Sequence, residues 1–163
     1  MACRGVFFAI TDEEAKAVLS AMDDKQLMAV IERIETAWDV DNLAECDKAW
    51  DAMHRALTDG RLEYGNGAYP LNHVVLGSRQ LYEGDEFIVS FVAPEQVREV
   101  AAALQSVTRE WFEHKYRTVV PKDYALEYGD EDLEYTWDWF QSVFDLYAKA
   151  AERGRAVIFT VDQ

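Results

Sequence analysis

The sequence predicts an α+β fold in a single domain spanning residues 1–163, with about six helices packed on a small antiparallel or mixed sheet of about three strands. Three observations carry this. Short apolar runs rich in β-formers stand near 6–10, 87–92 and 156–161, at the start, middle and end of the chain. The segments between them repeat their apolar residues at helical spacing, and most open on a recognisable cap. No linker, internal repeat or low-complexity stretch divides the 163 residues, a length that suits one domain.

Val6 to Ile10 reads as a strand. Thr11-Asp12-Glu13-Glu14 is a capping box, and the helix after it carries Ala15, Val18 and Leu19. Asp23 or Asp24 caps a second helix with Leu27, Val30, Ile31, Ile34 and Trp38 along one stripe, which Asp39 to Asn42 breaks. A third helix runs through 47–59, and Gly60 is placed to close it. Gly65-Asn66-Gly67 lacks the preceding strand, following helix start and lysine of a phosphate cradle, so it reads as a loop. Pro70 opens a short helix that Gly77 ends. Tyr82 to Glu86 is a polar turn before the strand Phe87 to Val92. Pro94 opens a helix with Val97, Val100, Ala101 and Leu104 inward, and Thr108 caps another with Trp111, Phe112, Lys115 and Tyr116. Lys122 to Gly129 reads as an irregular connection in which Tyr124 and Tyr128 seal one side of the core. Asp130-Glu131-Asp132 caps a long helix from Leu133 to about Arg153, and Gly154 separates it from the strand Ala156 to Val161.

The third helix is the densest run of chemically distinctive residues. At helical spacing Trp50, Met53 and Leu57 form a stripe that needs a core. Asp47, Asp51, His54 and Thr58 fall on the neighbouring face, where two carboxylates and an imidazole are the groups that hold a cation or move protons. The structural reading of the same pattern is stronger. Asp47 favours the helix dipole, Asp51 pairs with Arg55 one turn on, and His54 packs beside Trp50, all routine on helix surfaces. The candidate ligand or partner surface is therefore Asp47, Lys48, Trp50, Asp51, His54 and Thr58, with His73 as a possible helper from the short helix. A lone histidine in such a helix is more often a hydrogen-bonded structural residue than a ligand.

The pattern Asp-Lys-x-Trp-Asp-x-Met-His-x-x-Leu-Thr-x-Gly at 47–60 resembles the signature of the YfbM-like family, small bacterial proteins with no established activity. The opening Arg4 to Ile10, the run Pro70 to Gly77, the helix Pro94 to Leu104 and the finish Tyr147 to Phe159 resemble further parts of that family in the same order, so the resemblance covers nearly the whole chain. It implies an α+β fold and a cytoplasmic bacterial protein, and it implies no catalytic residues.

Composition narrows the function classes. A formal charge of −15 repels phosphate backbones, which disfavours nucleic acid and suits a basic protein partner or a basic ligand. Acidity also serves solubility alone. Cys3 and Cys46 are far apart and form neither a disulfide framework nor a zinc motif. The apolar run Val6 to Ile10 is too short for a signal peptide or a membrane span, which gives a cytoplasmic location by default. The chain has no G-x-S-x-G elbow, no Walker A run and no H-E-x-x-H, so no metal, no cofactor and no catalytic residue is assigned. The acidic, aromatic stretch Tyr124 to Phe140 could meet a basic partner, but its spacing fits a buried stripe better. The expected function is a non-catalytic binding or interaction protein with an acidic surface. The alternative is a small-molecule-binding protein or enzyme centred on Asp51 and His54.

Overall fold

The structure, a computed structural model, describes residues 3–120 and 122–162, the side chains of 122–128 excepted. Its strands are β1 (Gly5–Ile10), β2 (Leu43–Asp47), β3 (Arg79–Gln80), β4 (Phe87–Val92) and β5 (Ala156–Asp162). Its helices are α1 (Asp12–Ser20), α2 (Asp24–Ala37), α3 (Trp50–Leu57), α4 (Pro94–Leu104), α5 (Arg109–Val119) and α6 (Lys122–Arg153). The sheet is antiparallel throughout, in the order β2-β1-β5-β4-β3. It has five strands where the sequence predicts about three.

The three predicted strands are the central ones, β1, β5 and β4. They are legible because both of their faces are buried, so they read as continuous apolar runs. The two missed strands form the edges. β2 carries Glu45 and Asp47 among only three apolar residues, Leu43, Ala44 and Cys46, and β3 has two polar residues and no apolar pattern. Short, charged edges of this kind protect a sheet from pairing with other chains, and for the same reason they lack the strand signal.

Successive residues of β5 face opposite layers. Ile158, with Phe8, Ile10, Val89 and Phe91, packs under Val18 of α1 and Leu27, Ile31 and Ile34 of α2. Phe159, with Phe7, Ala44 and Cys46, packs against Met53, Val97, Phe112, Phe140 and Tyr147 from α3 to α6. The molecule is thus two helical layers with the sheet between them.

Three of the predicted caps form, at Thr11, Asp23 and Thr108. Glu14 N–H donates to Thr11 Oγ1 (3.1 Å) and Thr11 N–H to Glu14 Oε2 (2.9 Å), completing the capping box. Asp23 accepts from Gln26 N–H (2.8 Å) and Thr108 from Trp111 N–H (3.1 Å). Three helical expectations change. Trp38 does not extend the α2 stripe: it is the left-handed residue that ends the helix, and its ring meets Phe8 edge-on. The short helix after Pro70 is one 3-10 turn, Leu71–His73. The connection from Lys122 is helical and kinks at Gly129, whose φ 63 and ψ −154 are not helical. The expectation that Tyr124 and Tyr128 seal the core lies outside the described side chains.

Because one strand serves both layers, Ile158→Ala and Phe159→Ala are each expected to lower unfolding stability by about 3 kcal/mol. The loss should appear as one transition in urea, with tryptophan fluorescence and far-ultraviolet circular dichroism coinciding. A separate early transition in Ile158→Ala would show that the α1–α2 layer unfolds on its own.

Candidate functional site

α3 places its three apolar residues as its period requires. Trp50, Met53 and Leu57 are buried in the larger core, and the Trp50 indole donates Nε1–H to Cys3 O at 2.9 Å. Asp47 does not share this helix. It ends β2 in a left-handed conformation (φ 47), and Lys48 and Ala49 turn the chain into α3. The candidate residues therefore divide into separate groups.

The first group centres on Asn66. His54 is 1% exposed, and its Nε2 lies 2.8 Å from Asn66 Oδ1 and 3.1 Å from Glu63 O. Both neighbours are acceptors, so Nε2 carries the proton. The Asn66 amide Nδ2 faces Asp59 Oδ1 (2.6 Å), Arg61 O (2.9 Å) and Thr58 Oγ1 (3.1 Å), all acceptors, which fixes the amide orientation. The Thr58 hydroxyl donates to His54 O at 2.7 Å. His54 Nδ1 is buried and has no hydrogen-bond partner. Burial is the main cause that holds the imidazole below its ordinary pKa, against the opposing hydrogen bonds from Asn66 and Glu63. The neutral ring suits this place, since a proton on Nδ1 would have no acceptor.

Asp51 and Arg55 form the predicted i, i+4 pair (2.6 Å), and Arg55 Nη1 also donates to Gly60 O (3.0 Å). Gly60 has φ +91, and a Cβ there would stand 1.7 Å from Val119 O, so this turn lets α5 approach α3 as only glycine permits. Lys115 of α5 reaches across to Thr58 O at 3.0 Å.

The second group surrounds Asp47. Tyr135 of α6 donates its hydroxyl to Asp47 Oδ2 (2.6 Å) and accepts from Lys48 N–H (3.3 Å), while Arg4 Nε stands 3.4 Å from Asp47 Oδ1. Burial and then the adjacent carboxylate push the Tyr135 hydroxyl up to about 12. This group ties the end of β2 to α6. His73 is separate again: its Nδ1 lies 2.8 Å from Asn72 Oδ1 and its ring is edge-on to Tyr69 at 4.8 Å.

Four clefts of the surface are lined by other residues than these seven. Among the described residues no three His, Cys, Asp or Glu side chains lie together as a metal-ligand set. Cys46 is fully buried, with Sγ 3.2 Å from Gly5 O, and its thiol is pushed up by burial and by the Asp47 and Glu45 charges, which opposes thiolate chemistry. Sequence reasoning missed Asn66 and Tyr135, the hubs of the two groups. Asn66 had a signal: an amide between two glycines suits a loop that folds back on its own backbone.

Asn66→Ala should cost about 2–3 kcal/mol, because it leaves His54 and the loop carbonyls unpaired at once. His54 also sets a pH dependence. Its folded pKa lies below the unfolded value, so its contribution is present above about pH 6.5 and is lost as pH falls. Urea unfolding at about pH 7.5 and about pH 5.5 should show wild type losing more stability than His54→Gln. Parallel losses would mean that the ring titrates freely.

No curated protein matches the chain. A solved structure described as a protein of unknown function, YfbM from Escherichia coli, superposes with a TM-score of 0.66 at 18% identity, covering 97% of this chain and 99% of that one. That likeness carries the fold, α+β with an antiparallel sheet. A family model described as a domain of unknown function, DUF1877, matches residues 1–160, and with a match of that extent the chain belongs to the DUF1877, YfbM-like family.

Proposed function

We propose that this protein is a non-catalytic binding protein whose acidic α1–α2 face takes a positively charged partner. One observation carries the reading: among the described residues, the acids of that layer enter no ion pair. Residues 11–41 hold nine acids and three bases. The turn 82–86 beside them adds Glu83, Asp85 and Glu86. The ion pairs among the described residues are made by Arg4, Arg55, Arg61, Arg109 and Arg117, and none includes an acid from either stretch.

The carboxylates of this layer are used as acceptors. Asp23 caps α2, and Asp24 accepts from Glu83 N–H (2.9 Å) and Gly84 N–H (3.0 Å). Glu35 accepts from Thr160 Oγ1 (3.0 Å). The Glu35 carboxyl is raised, first by burial and then by the Asp162 and Glu32 charges, against that hydrogen bond, as expected where negative charge is uncompensated. A field of one sign over a whole face steers a cationic partner and sets its orientation. In this reading the α3 residues Asp51, His54 and Thr58 are scaffold, holding α3 to the loop behind it.

The test is binding of oligolysine to the immobilised chain at low and high salt. Glu13→Lys with Glu32→Lys should weaken binding about tenfold, while Asp138→Lys with Asp145→Lys on α6 should change it less than about threefold. Equal losses would deny the α1–α2 face any special part. Absence of salt-sensitive binding would overturn the reading itself.

A further inference from the structure

The acidic layer ends at a cleft with an apolar floor. Two hollows, of ≈ 150 and ≈ 360 Å³, meet at Gln80 and Glu83 on the β3 edge of the sheet. Leu62, Leu76 and Ile88 contribute to the floor, Tyr64 and Tyr82 stand at its walls, and Asp24, Glu83 and Asp85 supply carboxylates. Exposed apolar groups continue the surface. Met22 is 88% exposed and Tyr64 54%.

The frame of the cleft is fixed. The two backbone bonds to Asp24 anchor the 82–86 turn to the start of α2. The Tyr82 ring lies against Gly84, where a Cβ would come within 2.8 Å of it, and meets Phe87 edge-on at 5.4 Å. Desolvation and then the Glu86, Asp24 and Asp85 charges raise the Tyr82 hydroxyl, a local sign of negative potential.

We propose that this cleft receives a basic, apolar-flanked segment of a partner protein, with an arginine or lysine side chain between Tyr64 and Tyr82. Charge complementarity selects the occupant. The carboxylates demand a cation, the tyrosine faces stabilise one, and the apolar floor with Met22 accepts neighbouring aliphatic side chains. The proposal rests on the acidic-face reading and adds an anchor point to it, since a few buried contacts carry most of the energy of an interface.

The experiment titrates the isotope-labelled full chain with a short peptide of alternating arginine and leucine, and separately with oligolysine of equal charge, following amide shifts by NMR. The expected result is a focus of shifts at Tyr64 and Gln80–Asp85, with the arginine–leucine peptide bound about tenfold more tightly than oligolysine. Tyr64→Ser and Met22→Ser alter exposed side chains and leave the core intact; each should weaken that peptide about tenfold without altering oligolysine binding. Shifts spread over α1 and α2, with no preference between peptides, would overturn the cleft while leaving the acidic face standing. Focused shifts with both variants binding as wild type would also overturn it. Failure of both peptides to bind at low salt would overturn the two readings together.

Discussion

The structure depends on a strand that cannot meet water on either side. Ala156 to Val161 of β5 are all buried, with alternate residues entering different cores. An antiparallel sheet with one solvated face would show polar residues at every second position, and β5 does not. Two helical layers are therefore obligatory. The α1–α2 pair is the smaller cover and α3 to α6 the larger, and either one alone would leave half of β5 exposed. The chain reaches this arrangement only when its last strand enters between β1 and β4, both formed much earlier in the sequence.

The second constraint is close approach around α3. This helix has only eight residues, too few to hold by its own backbone bonds. It is held from outside. Met53 and Ala56 are fully buried beneath it, and the Asn66 amide holds the following loop against His54 and Thr58. Gly67 belongs to the same device: a Cβ there would meet Thr58 at 2.7–2.9 Å, and its φ of +76 is left-handed. The polar residues that look like chemistry in the sequence are thus bonded to one another and to backbone. A neutral imidazole with one nitrogen bonded to two acceptors has its proton committed.

This shows where sequence reading works and where it stops. Burial on both faces makes β1, β4 and β5 visible as apolar runs, and local caps make Thr11, Asp23 and Thr108 visible because their partners stand three residues away. Local chemistry also gives the Asp51–Arg55 pair. Edge strands fail because their pairing is supplied by a neighbour that sequence does not reveal: β2 is a strand because β1 lies beside it. The placement of Asp47 fails for the same reason. Helical spacing puts it on the face of Asp51 and His54, yet the antiparallel register ends a strand there, and Tyr135, 88 residues away, takes its carboxylate. Asn66 is intermediate. Its loop is legible, but its four partners converge only once the chain has folded back.

Charge is distributed by layer, and the two layers use their acids in different ways. On the α3–α6 side arginines bridge carboxylates between elements: Arg109 joins Glu113 to Glu134, and Arg117 joins Glu113 to Asp130. Such pairs cancel the local field and contribute modestly to stability at an exposed surface. On the α1–α2 side carboxylates accept from backbone N–H at helix starts and at the 82–86 turn. A carboxylate that accepts from backbone N–H ties the chain without needing a cation, and at a helix start it also gains from the helix dipole. The layer can therefore be held together by acids and still present their full negative field. Mutual repulsion would favour mixing lysine and arginine into this face if stability were the only demand. On the proposed reading, acids without cations among the described residues, adjoining the cleft at the β3 edge, suit a face neutralised from outside.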